Sequence, residues 1–192
     1  MSLAELFDRH GCDKGFRHRY HRAYEPLFAP LRFEPITLLE IGVLRGASLA
    51  AWTEYFPCAE IVGVDTFERV PADSIEILKH SRVHWFKCDS TKEAPNMRAD
   101  IIIDDGNHIQ EAQRATFLNF MPRLKGGGRY FIEDVLPFDA EQPAWLNTRY
   151  PENTIAGHRE LMKTLEPYVV IEHDLRDAQH PTSYMLEIRN WP

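Results

Sequence analysis

Short apolar runs rich in β-branched residues alternate with amphipathic segments of helical length along most of the chain. Segments with helical patterns separate the runs, and the clearest are residues 47–55 and 109–124. The second of these is expected to end at the three glycines of residues 126–128. The apolar runs are the predicted strands, and they lie at residues 36–41, 61–65, 83–87, 99–103 and 129–132. The second, third and fourth have the composition of strands buried on both faces of a parallel sheet. This alternation predicts an α/β fold.

Both ends of the chain carry further predicted elements. Residues 1–35 form a helical leader, with helical patterns at 3–9 and 20–31. Residues 136–153 contain prolines and aromatic residues and have neither a helical nor a strand periodicity. They are predicted to form a substrate loop, since an ordered loop of that length usually contributes to a functional site. A helix at 154–165 and two strands that can pair as an antiparallel hairpin, 168–173 and 183–189, complete the predicted elements.

Composition narrows the classes of partner. The 192 residues are 44% hydrophobic, which suffices for one core, so we predict a single domain over residues 1–192. The formal charge of −7 argues against nucleic acid or an anionic membrane as a partner. Since no apolar run approaches the roughly 20 residues that span a bilayer, and no signal peptide is recognisable, we expect a cytoplasmic protein. The three cysteines are too scattered for a disulfide framework or a CxxC metal site.

A glycine-containing turn follows the first predicted strand. Residues 40–48, EIGVLRGAS, lie where open α/β sheets bind nucleotides, although Leu44 stands at a position that GxGxxG gives to glycine. Asp65, at the end of the second strand, is placed to accept hydrogen bonds from ribose hydroxyls, and Asp89 and Ser90 add a polar pair after the third strand. An ordinary turn with solvated acids is the alternative. The combination favours a ligand that contains adenosine.

Carboxylates follow the fourth and fifth predicted strands, at residues 104–108 (DDGNH) and at Glu133 and Asp134. Neighbouring parallel strands bring these acids together, and Arg and Lys are scarce within the two segments, so a divalent cation is the expected neutraliser. Oxygen ligands suit magnesium or manganese. His108 lies close enough to Asp105 to act as a base or as a ligand, and a helix N-cap beside a solvated histidine is the alternative.

Other motifs add little. His10, His18 and His21 are interspersed with arginines in the leader and predict a solvated basic face. There is no G-x-S-x-G elbow, no P-loop lysine motif and no cysteine beside a recognisable base, so hydrolase and nucleotide triphosphatase functions lose support.

Three patterns carry a family resemblance: residues 11–15 (GCDKG) followed by Tyr20 and Tyr24, residues 39–43 (LEIGV), and residues 104–108 with 132–134 (IED). With them the chain resembles class I S-adenosylmethionine-dependent methyltransferases over nearly its whole length. More narrowly, it resembles the magnesium-dependent O-methyltransferases that modify sugar hydroxyls of macrolides and related natural products, together with the cephalosporin hydroxylase-like group. The resemblance implies a Rossmann-like sheet of five parallel strands plus a C-terminal antiparallel hairpin, with helices on both faces.

The resemblance also implies roles for individual residues. It implies a metal, Mg²⁺ or Mn²⁺, held by Asp105, Glu133 and Asp134, with His108 as the base. Asn107 stands where the family commonly has serine. The expected S-adenosylmethionine-binding residues, with Tyr24 beside the first of them, are Tyr20, Glu40, Gly42, Ser48, Asp65, Asp89, Ser90 and Asp104. The expected apolar wall for a sugar ring comprises Phe138, Trp145 and Tyr150.

The implied activity is transfer of the methyl group of S-adenosylmethionine to a hydroxyl of a sugar or glycosylated natural product, in antibiotic biosynthesis. Three alternatives stay open. They are an O-methyltransferase with a phenolic or catechol acceptor, a nonenzymatic S-adenosylmethionine-binding component of a biosynthetic complex, and a nicotinamide dehydrogenase. The missing GxGxxG motif disfavours the last. A homo-oligomer is compatible with the sequence.

Overall fold

The protein is described by a computed structural model that covers residues 1–139, 142 and 144–189. Within these residues one sheet contains the strands β1 (Thr37–Ile41), β2 (Glu60–Asp65), β3 (Val83–Lys87), β4 (Ala99–Asp104), β5 (Leu124–Ile132), β6 (Val169–Asp174) and β7 (Tyr184–Arg189). The strand order is β3-β2-β1-β4-β5-β7-β6, and the first five strands are parallel. β7 is antiparallel to both β5 and β6. The predicted α/β fold with a terminal hairpin is therefore confirmed.

The α-helices are α1 (Leu3–Arg9), α2 (Asp13–Phe16), α3 (His21–Phe28), α4 (Ala47–Tyr55), α5 (Gln110–Phe120), α6 (Ala144–Arg149) and α7 (Ile155–Leu165). Short 3₁₀ turns occur at Ala29–Leu31, Ala72–Ser74, Glu76–Lys79 and Met121–Arg123. Ser2 and Glu5 form a capping box at the start of α1, and Thr154 caps α7 through its hydroxyl. No helix among the described residues is long and apolar enough to cross a membrane.

Each face of the sheet has its own apolar core. On one face α1, α3 and α4 cover the strands, and aromatic rings join the leader to the sheet. Tyr24 meets the ring of Trp52 at 5.6 Å between centroids, and Phe28 meets that of Phe131 at 5.5 Å. On the other face α5 and α7 cover β4 and β5. The leader is thus part of the core.

One predicted helix boundary is wrong. The helix predicted at 109–124 ends at Phe120, and residues 126–128 lie within β5. Pro122 has no backbone N–H to continue the helix, and the chain is already extended at Leu124, which pairs with Ala99 of β4. The three glycines therefore belong to the strand.

The prediction that the second, third and fourth strands are buried on both faces is wrong for β3. Only Val83 is buried in this strand, because β3 lies at the edge of the sheet. The expected helix between β3 and β4 is absent from the described residues, and 3₁₀ turns replace the one expected between β2 and β3.

The predicted substrate loop, residues 136–153, is not irregular throughout, because it contains α6. The side chain of Leu146 is 1% exposed and anchors this helix. Six residues make fewer than two helical turns, too few for a period to be visible in the sequence.

Candidate active site

The site lies where β1, β4 and β5 end. The strand order reverses between β1 and β4, and open α/β sheets bind ligands at such a point. Ile41 pairs with Asp104, and Asp104 pairs with Ile132. The residues that follow these strands, Gly42, Asp105 and Glu133, therefore lie side by side, as the sequence predicts.

A lysine of the leader lies among these carboxylates. Lys14 is 1% exposed, and its Nζ donates to Asp105 Oδ2 and, at 2.6 Å, to Glu133 Oε2. Glu40 Oε1 is 3.4 Å from the same nitrogen. Burial opposes the charged form, but the three carboxylates together hold the pKa of Lys14 well above its usual value. The prediction of a divalent cation as the neutralising charge did not include the Lys14 ammonium, which lies in a different part of the sequence.

Both carboxylate oxygens of Glu133 have protein partners. Oε2 accepts from Lys14, and Oε1 accepts from the Tyr24 hydroxyl at 2.5 Å. The side chain is also 2% exposed. Glu133, predicted as a metal ligand, therefore pairs with Lys14 and is not a member of the group formed by Asp105, His108 and Asp134.

That open group comprises Asp105, His108 and Asp134, whose ligand atoms all lie within 4.8 Å of one another. His108 Nε2 is 3.9 Å from Asp105 Oδ1 and 3.7 Å from Asp134 Oδ2. All three side chains are half-buried. Two carboxylates beside an imidazole fit Mg²⁺ or Mn²⁺ by the chemistry of their donor atoms.

The leader also positions Asp134. The Tyr20 hydroxyl donates to Asp134 Oδ1 at 2.6 Å and accepts from the Asp134 backbone N–H at 3.1 Å. His18 Nδ1 is 3.3 Å from the same carboxylate oxygen. Tyr20, expected at the methyl donor, therefore contacts an expected metal ligand. His18 is 5% exposed, so the prediction of a solvated basic face is wrong for this histidine.

Asp65 organises the turn after β1. One carboxylate oxygen accepts from the backbone N–H groups of Val43 at 2.8 Å and Leu44 at 3.1 Å, and the other accepts from Phe67 N–H at 2.8 Å. Leu44 and Phe67 have positive φ values of 48° and 53°. This left-handed backbone is costly for bulky residues, and here it directs N–H groups at one acid. These three hydrogen bonds leave one lone-pair site of Asp65 Oδ1 unused.

The expected glycine and its neighbours are tightly enclosed. Gly42 has φ +92°, and a Cβ there would lie 2.1 Å from the Asp105 carbonyl oxygen. The neighbouring backbone, and not only an incoming ligand, therefore requires glycine. Ser48 donates to Glu40 at 2.6 Å, and the Glu40 side chain is fully buried.

The other expected donor-binding residues differ in availability. Asp89 binds Thr91 and Lys92, and the Lys92 hydrogen bond is the main cause that lowers the pKa of Asp89 to about 2. Ser90 hydrogen-bonds Thr116 at 3.0 Å. Asp104 is 2% exposed, and burial raises its pKa to about 8. Its Oδ2 is buried and has no hydrogen-bond partner among the described residues.

A cavity of about 200 Å³ opens beside His108 and Asp134. Trp145 and Tyr150, two of the three residues expected to form a sugar wall, line it. Phe138 is not among its described lining residues and lies near His158, at 6.2 Å between rings. The other lining residues were not singled out from the sequence as site residues, and they come from the leader, the segment after β5, α6, the segment before α7 and the connection between β6 and β7: Arg17, His18, Leu136, Arg149, Asn153, Gln179, His180, Pro181 and Thr182.

Asn153 is a missed positioning residue. Its side chain donates to the His108 carbonyl at 2.9 Å and accepts from the Gln110 N–H at 2.7 Å. At 6% exposure it holds the segment that carries His108 against α6 and α7. No sequence pattern marks this residue, because its partners lie more than 40 positions away: the separations are 45 and 43.

Comparison with solved structures defines the class. The MycE methyltransferase from the mycinamycin biosynthetic pathway, in complex with Mg and SAH, superposes with a TM-score of 0.71 and 25% identity, covering 98% of this chain and 54% of that one. The sheet order, the turn after β1 and this superposition identify the fold as that of class I methyltransferases. No family model matches the chain.

Sequence relatives narrow the resemblance. The 8-demethyl-8-alpha-L-rhamnosyl tetracenomycin-C 2'-O-methyltransferase of Streptomyces olivaceus is 36% identical over 148 residues, 69% of this chain and 37% of that protein. The mycinamicin VI 2''-O-methyltransferase of Micromonospora griseorubida is 29% identical over 175 residues, 85% of this chain and 43% of that protein. The chain is thus a homologue of sugar O-methyltransferases and spans less than half the length of these relatives.

Proposed function

We propose that this chain is a metal-dependent O-methyltransferase that moves the methyl group of S-adenosylmethionine to a hydroxyl of a sugar or glycosylated natural product. The observation that carries the proposal is the group of Asp105, His108 and Asp134 at the ligand-binding edge of a class I methyltransferase sheet, in which His108 and Asp134 line a cavity. The homology to sugar O-methyltransferases supports the choice of acceptor. A cytoplasmic location, the absence of a nucleic-acid partner and a homo-oligomeric state stay predictions.

The methyl donor is proposed to bind along the turn after β1. Asp65, which already arranges three backbone N–H groups of the turn and of the segment after β2, has acceptor capacity left for the ribose hydroxyls. The unpartnered Asp104 Oδ2 is proposed to accept a hydrogen bond from the bound S-adenosylmethionine at the same edge of the sheet. Glu40 and Ser48 are proposed to support this end of the site from their buried positions.

Asp105 and Asp134 are proposed to hold the metal, with Glu133 as a further ligand implied by the family resemblance. Bound Mg²⁺ supplies Lewis acidity that favours loss of the acceptor hydroxyl proton. His108 Nε2 takes that proton, since it faces both carboxylates and the cavity. The methyl group then leaves the sulfonium sulfur for the acceptor oxygen, and the sulfur keeps the bonding electron pair as a neutral thioether. Trp145 and Tyr150 supply a wall against which a sugar ring is oriented.

Calorimetric titration of S-adenosylhomocysteine, with Mg²⁺ and then with chelator, tests donor and metal binding separately. We expect donor binding in the wild type and in His108→Gln, and loss of the Mg²⁺ heat in Asp105→Asn. Transfer of labelled methyl to at least one member of a panel of neutral and anionic glycosides is expected in the wild type and absent in His108→Gln. A chain that binds no S-adenosylhomocysteine under any condition refutes the proposal. Binding without transfer to sugar or phenolic acceptors favours a nonenzymatic role.

A further inference from the structure

The cavity beside the proposed metal ligands has a charge opposite to that of the whole chain. The chain carries a formal charge of −7. Among the described residues that line the cavity, Asp134 is the carboxylate, whereas Arg17 and Arg149 contribute two fixed positive charges, and three are histidines. This local excess of positive charge is independent of the donor site, which lies along the turn after β1.

The two arginines reach the cavity from separate segments. Arg17 follows α2 in the leader, and Arg149 is the last residue of α6. Both are exposed, and neither forms an ion pair with a carboxylate within residues 1–139, 142 and 144–189. The Arg149 guanidinium carbon lies 5.6 Å from the centre of the Tyr150 ring, so its charge is next to the proposed sugar wall.

The proposed methyl transfer does not require the positive charge of either arginine. A divalent cation would balance Asp105 and Asp134, and neither arginine is needed for the neutral hydroxyl of the acceptor. Guanidinium groups bind carboxylate and phosphate oxygens in bidentate fashion, with a directionality that ammonium groups lack. An anionic group on the acceptor complements both charges.

We propose that the acceptor is a sugar bearing a carboxylate or phosphate group, which Arg17 and Arg149 bind while its hydroxyl faces His108. This inference rests on the proposed function and specifies its substrate class. The two anionic groups share the chemistry that the arginines recognise, and the choice between them is an outcome of the test.

The test is calorimetry on the protein saturated with Mg²⁺ and S-adenosylhomocysteine, with D-glucuronate, glucose 1-phosphate and D-glucose as probes. We expect at least one anionic sugar to bind tenfold or more tightly than glucose. Tighter binding of glucuronate identifies a carboxylate acceptor, and tighter binding of glucose 1-phosphate identifies a phosphate. Arg17→Gln and Arg149→Gln are each expected to weaken anion binding at least fivefold and to leave S-adenosylhomocysteine binding unchanged.

The matched control is Arg159→Gln, an exposed arginine of α7 outside this cavity, which is expected to change neither affinity. Equal affinity for glucose and the anionic sugars, no binding of either anionic sugar, or full anion affinity in both cavity variants overturns the inference. Loss of S-adenosylhomocysteine binding in the wild type instead refutes the proposed function, so the two failures are distinguishable.

Discussion

At the scale of single residues, Lys14 sets the charge at the centre of the site. Its ammonium is buried against Asp105, Glu133 and Glu40, so each carboxylate depends on it for compensation. Removing one partner of a buried ion pair usually lowers the free energy of unfolding by more than the intact pair adds to it, because the other charge stays buried and unpaired. Lys14 therefore supports stability and site geometry together.

We expect Lys14→Met to lower the free energy of unfolding by about 3–5 kcal/mol, measured by urea denaturation. The double variant Lys14→Met/Glu133→Gln should regain part of this loss, since it removes one uncompensated carboxylate. Lys79→Met, which breaks an exposed pair with Glu76, is the control and should cost less than about 1 kcal/mol. A Lys14→Met loss no larger than that of the control contradicts this account.

Glu133 and Asp134 are expected to differ as metal ligands. Asp134→Asn should lower the affinity for Mn²⁺ more than tenfold, because Asp134 belongs to the open group with Asp105 and His108. Glu133→Gln should change it less, because Lys14 and Tyr24 occupy both Glu133 oxygens. Titration with Mn²⁺, followed by electron paramagnetic resonance, measures the Mn²⁺ affinity of both variants. Equal losses would show that Glu133 binds the metal, as the family resemblance implies, and that Lys14 moves aside.

The site residues that were predictable are those that directly follow strands. Asp105, Glu133 and Asp134 fall at strand ends, and parallel pairing alone brings such ends together. Lys14 was not predictable in this way, because its partners Asp105 and Glu133 are 91 and 119 positions away. Contacts of that range depend on how the helices cover the sheet, which no local pattern records.

At the scale of elements, the end of the sheet formed by β5, β7 and β6 contains a buried carboxylate. Glu187 of β7 is fully buried. Its carboxylate forms hydrogen bonds with the side chains of Arg129 of β5, Arg189 of β7 and His173 of β6. Although burial opposes the charged form, these three partners lower the pKa of Glu187 to about 2. The network ties the hairpin to the parallel part of the sheet.

This network predicts acid sensitivity. The pKa of Glu187 rises to its ordinary value of 4.5 on unfolding. The ionised carboxylate therefore stabilises the folded state fully above pH 4.5, and this stabilisation is lost as the pH falls from 4.5 towards 2. A difference of this size corresponds to about 3 kcal/mol. Urea denaturation between pH 6 and pH 3 should show a shallower loss of stability in Glu187→Gln than in the wild type. Glu152→Gln, an exposed control, should keep the wild-type slope; an unchanged slope in Glu187→Gln contradicts the prediction.

The elements that were predictable from sequence have patterns that agree with their burial. β1, β2 and β4 are almost wholly buried, and their β-branched runs predict them to within one residue at each end. The start of β5 was missed because its glycines resemble a helix terminator. α6 was missed because prolines and a short length conceal its period.

At the scale of the whole molecule, the leader is part of one core and forms one wall of the site. It covers a face of the sheet with α1 and α3, and it supplies Lys14, Tyr20 and Tyr24 to the carboxylates. The fold and the proposed chemistry therefore depend on the same packing.

Deletion of residues 1–31 should abolish cooperative unfolding and the near-ultraviolet circular dichroism of the aromatic core. The deletion exposes Trp52 and Phe131 and leaves Glu133 buried without Lys14. Adding a peptide of residues 1–35 to the truncated chain is the control and should restore part of the signal. A truncated chain with the full signal and a cooperative transition would show that the leader is dispensable for the core.

The distance along the chain between Lys14 and its carboxylates also has a consequence in time. During synthesis Lys14 and Tyr24 are made before the sheet, and Glu133 follows Lys14 by 119 residues. At about 5–20 residues per second, that interval is roughly 6–24 s on the ribosome. Throughout it the aromatic rings of α3 have no finished sheet to cover. The nascent chain therefore exposes the apolar face of α3 to chaperones during this interval, and the proposed catalytic centre cannot form until Glu133 has been made.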